Sequence, residues 1–258
     1  MCLRLKDKSA FVTGAGQGIG RGIAEQLAAQ GAGVTIADIN GITGGSTAGE
    51  LCQAGRAAQF AQVDIRSEAD IKSGIASHLA RFGGLDILVN NAGANQHFDA
   101  SQMSADEWDK SMSLNLRGAW LCCKHALPVM AQRESGVIIN IASVHATMTA
   151  NNFFPYNVAK SGILGLTRSL ALDWGHMNIR VVAVSPGWVR TKPVLDHFAH
   201  ADDPAAEEDR VINIHPLKRI GEPENVGSLV AFLASDEASY ITGTEIVIDG
   251  GISARHAD

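Results

Sequence analysis

Tyr156 and Lys160 stand four positions apart in the sequence and are the residues best suited to move a proton. If this segment is helical, the phenol and the ammonium lie on one face, one turn apart. A nearby positive charge favours the phenolate and lowers the Tyr pKa. Bringing that pKa from about 10 to about 7 takes roughly 4 kcal/mol of differential stabilisation. The pair is thus a candidate for proton exchange with an alcohol or a carbonyl, although a solvated Lys beside a half-buried Tyr would give the same spacing.

A glycine-rich segment near the amino terminus has the pattern of a phosphate-binding turn. The apolar run 9–13 predicts a strand, the letters TGAGQGIG follow it, and a helical pattern covers 21–30. Glycines let the backbone approach a pyrophosphate, and free N–H groups at a helix start point at the anion. The spacing Gly14-x-x-x-Gly18-x-Gly20 differs from the common G-x-G-x-x-G fingerprint. Tight packing of the strand on the helix is the alternative reason for such a turn.

A carboxylate at the end of the second predicted strand narrows the choice of cofactor. The run 33–38 ends in Asp38, which lies 18 positions after Gly20. An acid there can accept hydrogen bonds from a ribose 2′-hydroxyl and repel a 2′-phosphate. The neighbouring Gln17, Ile39 and Asn40 are uncharged and cannot pair with such a phosphate. This pattern predicts NAD rather than NADP.

Strand-like and helical segments alternate along the whole chain, with no linker or repeat. Strands are predicted at 9–13, 33–38, 58–63, 85–90, 137–141, 179–185 and 245–248, and helices at 21–30, 67–81, 105–131, 155–175 and 223–234. Gly44 and Gly45 weaken the helix expected between the second and third strands. Continuous apolar strands that alternate with helices predict an α/β fold with a doubly wound, seven-stranded parallel sheet and helices on both faces. We expect a single domain over residues 1–258.

One polar, irregular stretch breaks this alternation at about 187–221. Loops of this length in a compact domain are usually functional lids or disordered segments. This one follows a strand at the carboxyl edge of the sheet, where ligands bind in such folds. It is therefore predicted to be a substrate lid with helical parts, and a flexible surface insertion is the alternative.

Composition excludes several functional classes. The chain has 258 residues, 46% hydrophobic and 19% charged, as expected for a globular protein. A net charge of −6 argues against nucleic acid or an anionic membrane as a partner. Residues 1–8 contain no signal-peptide core, and no apolar run is long enough to cross a bilayer. Cys2, Cys52, Cys122 and Cys123 form no metal-ligand spacing, which predicts reduced thiols in a cytoplasmic protein without a metal site.

Further motifs complete the pattern. The chain carries NNAG at 90–93, Asn115 within LNLRG, Ser143 thirteen positions before Tyr156, a Pro-Gly pair at 186–187 and DGG at 249–251. Together with the glycine-rich turn and the YNVAK segment, these motifs resemble the short-chain dehydrogenase/reductase family in its compact single-domain branch. The resemblance extends from about residue 8 to residue 251 and implies a Rossmann-type fold.

The resemblance also implies which residues hold the cofactor and which carry out the chemistry. Asp64 corresponds to the acid that meets the adenine amino group. The implied cofactor-binding residues are Gly14, Gln17, Gly18, Ile19, Gly20, Asp38, Asp64, Ile65, Asn91, Ala92, Gly93, Tyr156, Lys160, Pro186, Gly187, Val189 and Thr191. The implied catalytic residues are Asn115, Ser143, Tyr156 and Lys160.

The residue types agree with these roles. Ser143 can hydrogen-bond the substrate oxygen, Tyr156 is the acid/base, and Lys160 can stabilise the phenolate and hold the nicotinamide ribose. Asn115 can order a water that connects Lys160 to bulk solvent. The nicotinamide supplies the hydride chemistry, and the protein supplies placement and electrostatics.

Two alternatives to an NAD-dependent oxidoreductase stay open at this stage. An NADPH-dependent 3-oxoacyl-carrier or ketone reductase would prefer a basic residue in the glycine-rich turn or after the second strand. A non-catalytic dinucleotide-binding regulator would be marked by loss of Tyr156 or Lys160, and both residues are present.

The substrate is predicted from the loops that follow the fourth, fifth and sixth long strands. Most of their side chains offer hydrogen bonds, which favours a small sugar or polyol oxidised at a secondary or anomeric hydroxyl. The residues predicted to contact the substrate are Asn95, His145 and Trp188. Further candidates in the same loops are Gln96, His97, Asn151 and Asn152. Phe153, Phe154 and Trp188 could instead form an apolar wall for ketones, hydroxyacyl compounds or steroids.

The predicted helix 155–175 is apolar nearly all round. Between Lys160 and Asp173 it carries one charged residue, Arg168. A helix that is apolar on both sides must be buried on both sides, so one side needs a partner or a covering segment of the same chain. The resemblance implies dimers through this helix and the helix at 105–131, paired into homotetramers.

Overall fold

The computed structural model of the protein describes residues 3–255. Cys2 and the two ends of the predicted domain 1–258 lie outside the described residues. Within them the chain forms nine strands: β1 Ser9–Thr13, β2 Gly33–Asp38, β3 Ala58–Gln62, β4 Ile87–Asn90, β5 His97–Phe98, β6 Gly136–Ile141, β7 Phe154–Pro155, β8 Ile179–Pro186 and β9 Glu245–Ile248.

Seven of these strands form one sheet in the order β3-β2-β1-β4-β6-β8-β9, and every neighbouring pair is parallel. The chain winds outward in one direction from β1 and in the other from β4. In such sheets a crevice opens at the carboxyl ends of the strands where the direction changes. The predicted seven-stranded, doubly wound Rossmann-type fold is therefore confirmed. The two short strands, β5 and β7, pair antiparallel beside the sheet.

Nine α-helices are assigned in the described residues: α1 Gly18–Ala29, α2 Gly41–Gln53, α3 Glu68–Phe82, α4 Ala105–Met112, α5 Gly118–Ala131, α6 Tyr156–Trp174, α7 Lys192–Ala199, α8 Pro204–Ile214 and α9 Pro223–Leu233. They cover both faces of the sheet. Ala10 and Val12 of β1 pack into the core with α1 and α9, whereas Phe11 between them packs into the core with α3 and α5. This alternation follows from the two-residue period of a strand.

Three predicted elements differ from the structure in ways that have local causes. β4 begins at Ile87 rather than at 85, because the Asp86 carboxylate takes the N–H of Ser9 at 2.8 Å in place of a backbone partner. The helix predicted at 105–131 is interrupted by a π-helical turn over Ser113–Arg117. α2 forms despite its glycines, because the Asn40 side chain caps its first turn.

The predicted lid region at 187–221 contains α7 and α8. Its two ends meet in a bridge where Gly221 N–H donates to Trp188 O and Arg190 N–H donates to Gly221 O, both at 2.8 Å. An ion pair joins Arg190 to Glu208 of α8 at 2.7 Å. His197 Nε2 of α7 lies 2.9 Å from Glu207 Oε1 of α8, within hydrogen-bonding distance. The region is thus a braced two-helix unit, and its action as a lid stays a prediction.

A buried chain of side-chain hydrogen bonds ties α6 to the middle of the sheet. Asn90 and Asn140 are register partners on β4 and β6, and Asn90 Nδ2 donates to Asn140 Oδ1 at 2.8 Å. Asn140 Nδ2 in turn donates to the Thr167 hydroxyl on α6 at 2.9 Å. All three residues are at least nine-tenths buried, where a lost partner is costly. These bonds fix the helix relative to the strands that end at the crevice.

No helix within residues 3–255 is long and apolar enough to span a membrane. Cys52, Cys122 and Cys123 are free thiols. Among the residues that the structure describes, no group of three or more His, Cys, Asp or Glu side chains could hold a metal ion.

His78 on α3 is a fully buried histidine in the core between α3 and the sheet. Its Nδ1 lies 2.7 Å from the Thr35 hydroxyl, and its ring contacts Phe11 and Phe82 with centroids 5.9 and 5.1 Å away. Burial lowers the pKa of this imidazole from 6.5 to about 4.

We expect His78 to weaken the fold as the pH falls from 6.5 toward 4. In that window the unfolded chain binds a proton that the folded protein does not, so the free energy of unfolding drops, by about 3 kcal/mol once complete. Urea unfolding of the wild type and of His78→Gln at several pH values measures this. The Gln variant can form a hydrogen bond but cannot titrate, so it should lack that part of the pH dependence. If the free energy of unfolding changed with pH equally in both proteins, His78 would not be the group responsible.

Candidate active site

A cavity of about 540 Å³ lies at the carboxyl ends of the central strands, within the range of about 300–1,000 Å³ typical of small-molecule sites. All seventeen residues predicted to hold the cofactor line it. So do Ser143 of the predicted catalytic set and the predicted pocket residues Asn95, His145 and Trp188. Asn115 is the predicted site residue that does not line it.

The glycine-rich turn forms one end of the cavity. Gly14 has a φ of 62°, a left-handed conformation that side chains other than glycine rarely adopt. A Cβ on Gly14 would also lie 2.8 Å from Ala92 Cα. The Asn91 side chain donates to Thr13 O at 2.9 Å and to Gly14 O at 3.0 Å. The end of β4 thus holds the turn in place, which leaves the start of α1 facing the cavity.

The Asp38 carboxylate is fixed beside this turn. Its Oδ2 accepts the N–H of Gly16 at 2.8 Å and its Oδ1 accepts the N–H of Asn40 at 2.9 Å. Each oxygen keeps a lone pair for a further donor. A negative charge is thereby placed where a ribose hydroxyl group of a bound dinucleotide can donate to it.

Arg66 was missed by the sequence analysis and lines the same cavity. Its guanidinium binds both carboxylate oxygens of Asp64, with Nη2 to Oδ2 at 2.7 Å and Nε to Oδ1 at 2.9 Å. Arg66 lowers the pKa of that carboxyl group. Among the described residues, Arg66 is the only arginine on the cavity wall, and its guanidinium is thus already paired. Asp64 remains beside the end of β3, where an adenine amino group was expected.

Taken together, this end of the cavity fits a nicotinamide dinucleotide. The left-handed turn places backbone N–H groups rather than side chains next to the space for a pyrophosphate. The lining beyond the turn reaches from Asp38 past NNAG to Tyr156 and Lys160. A long two-part ligand can therefore contact both the turn and the proton-transfer residues.

Tyr156 and Lys160 occupy the first two turns of α6, as the four-residue spacing predicts. Lys160 is 5% exposed, and its Nζ donates to Ile141 O at the end of β6 at 2.8 Å. Nζ lies 5.6 Å from the centre of the Tyr156 ring. Burial lowers the pKa of Lys160 from 10.5 to about 8.

The expected effect of Lys160 on Tyr156 does not dominate in this structure. Burial raises the pKa of the Tyr156 phenol above its ordinary value, and a hydrogen bond with Ser143 opposes the rise. The sequence analysis predicted a net fall, because it could count the nearby ammonium but not the loss of water around the phenol. At neutral pH Tyr156 therefore carries its proton and can act as a hydrogen-bond donor to a carbonyl.

The Ser143 hydroxyl is oriented by the backbone that follows it. It caps the short helical turn Val144–Ala146, and its Oγ accepts the N–H of His145 at 3.2 Å. The hydroxyl proton is then free for Tyr156 or for a ligand oxygen. Ser143 also hydrogen-bonds Tyr156, so the two hydroxyl groups lie side by side on the cavity wall.

Asn115 lies behind the cavity wall and acts on the backbone. Its Oδ1 accepts the N–H of Ala94 at 3.0 Å and its Nδ2 donates to Ser111 O at 3.2 Å. It belongs to the π-helical turn Ser113–Arg117, a feature that often marks functional sites. The residue thus holds the loop after β4 in place, and the predicted water between Asn115 and Lys160 stays a prediction.

Aromatic rings build the end of the cavity where the substrate pocket was predicted. The His145 ring stacks on Phe153 with centroids 3.8 Å apart, and Trp188 packs on His197 and Phe198 of α7 at 5.3 and 6.1 Å. The lining residues that sequence reasoning did not single out here include Leu114, Val144, Pro193 and Val194. Gln96, His97, Asn151 and Asn152 do not line the cavity.

A family profile and several relatives match almost the whole chain. A family profile described as enoyl-(acyl carrier protein) reductase matches residues 14–253. The oxidoreductase UcpA of Salmonella typhimurium is 39% identical over 252 residues, 96% of this chain and 95% of that protein. Levodione reductase of Leifsonia aquatica is 36% identical over 98% of this chain and 97% of that protein. Cyclohexanol dehydrogenase of an Acinetobacter species is 32% identical over 99% and 98%.

Solved structures show the same architecture. A crystal structure of levodione reductase superposes with a TM-score of 0.92 at 32% identity, covering 98% of this chain and 100% of that one. A putative gluconate dehydrogenase of Agrobacterium tumefaciens also has a TM-score of 0.92, at 30% identity over 99% and 100%. The chain therefore belongs to the short-chain dehydrogenase/reductase family, whose members bind a nicotinamide dinucleotide, and is an oxidoreductase acting on CH–OH groups.

Proposed function

We propose that the protein interconverts an uncharged secondary alcohol and its ketone with NAD as the cofactor. One observation carries this proposal: a single cavity joins the turn and carboxylate that suit a dinucleotide to Ser143, Tyr156 and Lys160. When bound, the cofactor accepts or supplies the hydride. The residues of the chain position both reactants and handle the proton.

Each residue of the set has a separate task. Ser143 donates a hydrogen bond to the substrate oxygen, and Tyr156 gives its phenolic proton to that oxygen in reduction or takes it in oxidation. Lys160, anchored on Ile141 O at 2.8 Å, keeps further N–H donors for the nicotinamide ribose. In oxidation Tyr156 must act as a phenolate to take the substrate proton, and the positive charge of Lys160 favours that form. Asn115 positions the Gly93–Ala94 backbone next to this group.

An uncharged substrate follows from the charges on the cavity wall. The charged lining residues are Asp38, Asp64, Arg66 and Lys160. Asp38 is the last residue of β2, and Asp64 and Arg66 follow β3, far along the sheet from β6 and β8. The Lys160 ammonium is bound to Ile141 O. No charged side chain in the described part of the wall is left to pair with a charged group near Tyr156, and burying an unpaired charge is costly.

Ring-shaped alcohols and ketones fit the aromatic walls best. His145, Phe153 and Trp188 present flat apolar faces, and two relatives carry the names levodione reductase and cyclohexanol dehydrogenase. The sugar or polyol predicted from the sequence remains the second candidate, supported by Asn95 and His145 on the wall. A 3-oxoacyl-carrier reductase using NADPH is disfavoured by Asp38.

The proposal includes a homotetramer located in the cytoplasm. Leu172 and Val158 on α6 and Trp120 on α5 are exposed, at 83%, 37% and 44%. α6 is the helix whose apolar surface was predicted to need a partner, and α5 lies in the segment that the family resemblance places in the dimer contact. The free thiols Cys52, Cys122 and Cys123 support a reducing compartment.

NAD should be preferred over NADP because the Asp38 carboxylate would repel a 2′-phosphate. Comparing kcat/KM for the two cofactors tests this, and the wild type should favour NAD. Asp38→Asn, which keeps the size of the side chain and removes its charge, should reduce the preference by about tenfold, equal to about 1.4 kcal/mol. A wild type that works better with NADP would overturn the cofactor proposal.

Tyr156→Phe should lower kcat by about 10²–10⁴-fold, the usual share of a general acid–base. Binding of NADH, followed by its fluorescence, should stay within about twofold, since the phenyl ring keeps the shape of the site. Tyr240 is the other tyrosine of the chain and is fully exposed, so Tyr240→Phe is the control. Retention of most activity in Tyr156→Phe would remove this residue from the proton-transfer role.

Light scattering at micromolar concentration should give four times the chain mass of 27.2 kDa. Leu172→Glu should lower this mass, because it places a charge on the proposed contact. Ile42→Glu on α2, where Ile42 is 86% exposed, is the control and should leave the mass unchanged. A monomeric wild type would refute the tetramer.

A further inference from the structure

The imidazole of His145 is held so that one ring nitrogen is left for a ligand. Its face is stacked on Phe153 with centroids 3.8 Å apart and an angle of 16° between the planes. Its Nδ1 lies 3.1 Å from the Thr149 hydroxyl. Within residues 3–255, Nε2 has no hydrogen-bond partner, although the ring lines the cavity. The stack and the hydrogen bond fix both the plane and the rotation of the ring.

The ring is an uncharged hydrogen-bonding group rather than a cation. Burial and the neighbouring His97 lower the pKa of His145 below its ordinary value. A neutral imidazole has one N–H donor and one acceptor nitrogen. With Nδ1 engaged by Thr149, Nε2 offers the remaining function to whatever enters the cavity.

The position of His145 relative to the proton-transfer residues limits what it can contact. The centres of the His145 and Tyr156 rings are 6.1 Å apart at an angle of 72°. His145 is also tied to Ser143 through its own N–H at 3.2 Å. His145, Ser143 and Tyr156 therefore border one part of the cavity wall.

We propose that His145 is a specificity-determining residue that binds a second oxygen of the substrate through Nε2. The substrate is then an uncharged ring ketone or alcohol with a further hydroxyl or carbonyl group. This inference rests on the proposed function and adds the second oxygen to it. A site built to hydrogen-bond a substrate oxygen rejects the analogue that lacks it, because the polar protein atom is left unpaired.

Matched ketones that exchange a hydroxyl for a methyl group test the inference. The holoenzyme is supplied with NADH and, in separate assays, with 4-hydroxycyclohexanone, 4-methylcyclohexanone and the corresponding 3-substituted pair. The measured quantity is the ratio of kcat/KM for the hydroxyl compound to that for its methyl partner. In at least one pair the wild type should favour the hydroxyl compound by about tenfold or more.

His145→Phe keeps a flat ring against Phe153 and removes the hydrogen bond, so the ratio should fall to about one or below. His145→Gln, which keeps an amide donor and acceptor, should retain part of the preference. His97→Phe is the matched control: His97 also contacts Phe153, at 4.7 Å, but its Nδ1 faces Asn152 O and it does not line the cavity. That variant should keep the wild-type ratio.

A binding experiment tests the contact between His145 and the second oxygen without relying on turnover. With Tyr156→Phe and NADH, calorimetry should show tighter binding of the preferred hydroxyl compound than of its methyl partner, and His145→Phe in that background should abolish the difference. A wild-type ratio near one, or a ratio that His145→Phe leaves unchanged, overturns the role of His145. Failure of the wild type to reduce any ketone while it still binds NADH overturns the proposed function itself.

Discussion

The hydrogen bond from Lys160 Nζ to Ile141 O is the contact on which the site depends. An ammonium that is 5% exposed needs such a partner, because burying an unpaired charge costs several kcal/mol. The bond joins α6 to the end of β6, one residue beyond Asn140, whose amide holds Thr167 further along the same helix. Tyr156 at the start of α6 and Ser143 just after β6 are therefore held at one fixed separation. Tyr156 lies on a helix and Ser143 two residues after a central strand, and such elements position side chains more accurately than long loops do.

Burial has opposite consequences for the two titrating partners, and both favour the uncharged forms. It raises the pKa of Tyr156 and lowers that of Lys160 to about 8. The site is thus poorly solvated, and electrostatic interactions within it are stronger than in water. The rest of the cavity wall also leaves few charges exposed to a ligand. One end is aromatic, and each charged side chain of the described wall has a fixed partner or faces the proposed cofactor site.

The strands of the sheet and the placement of the proton-transfer pair could be predicted from the sequence, because the period of apolar residues and the spacing of motifs depend on backbone geometry. Continuous apolar runs gave the seven strands of the sheet, and the four-residue spacing placed Tyr156 and Lys160 on one helix face. The π-helical turn at Ser113–Arg117 was not predicted, and the bond from Ala94 N–H to Asn115 Oδ1 joins groups 21 residues apart in the sequence. Arg66 was missed because only the folded chain shows that it lines the cavity. The fall predicted for the Tyr156 pKa was wrong because burial is a property of packing.

Transfer of deuterium tests the central claim most directly. NADH carrying deuterium at nicotinamide C4, labelled on one face or the other in separate reactions, is incubated with the protein and 4-methylcyclohexanone. The account predicts that the alcohol produced carries deuterium on its carbinol carbon, from one face of the cofactor only, as detected by mass spectrometry. Formation of no alcohol from 4-methylcyclohexanone, or of an alcohol without deuterium, would contradict it.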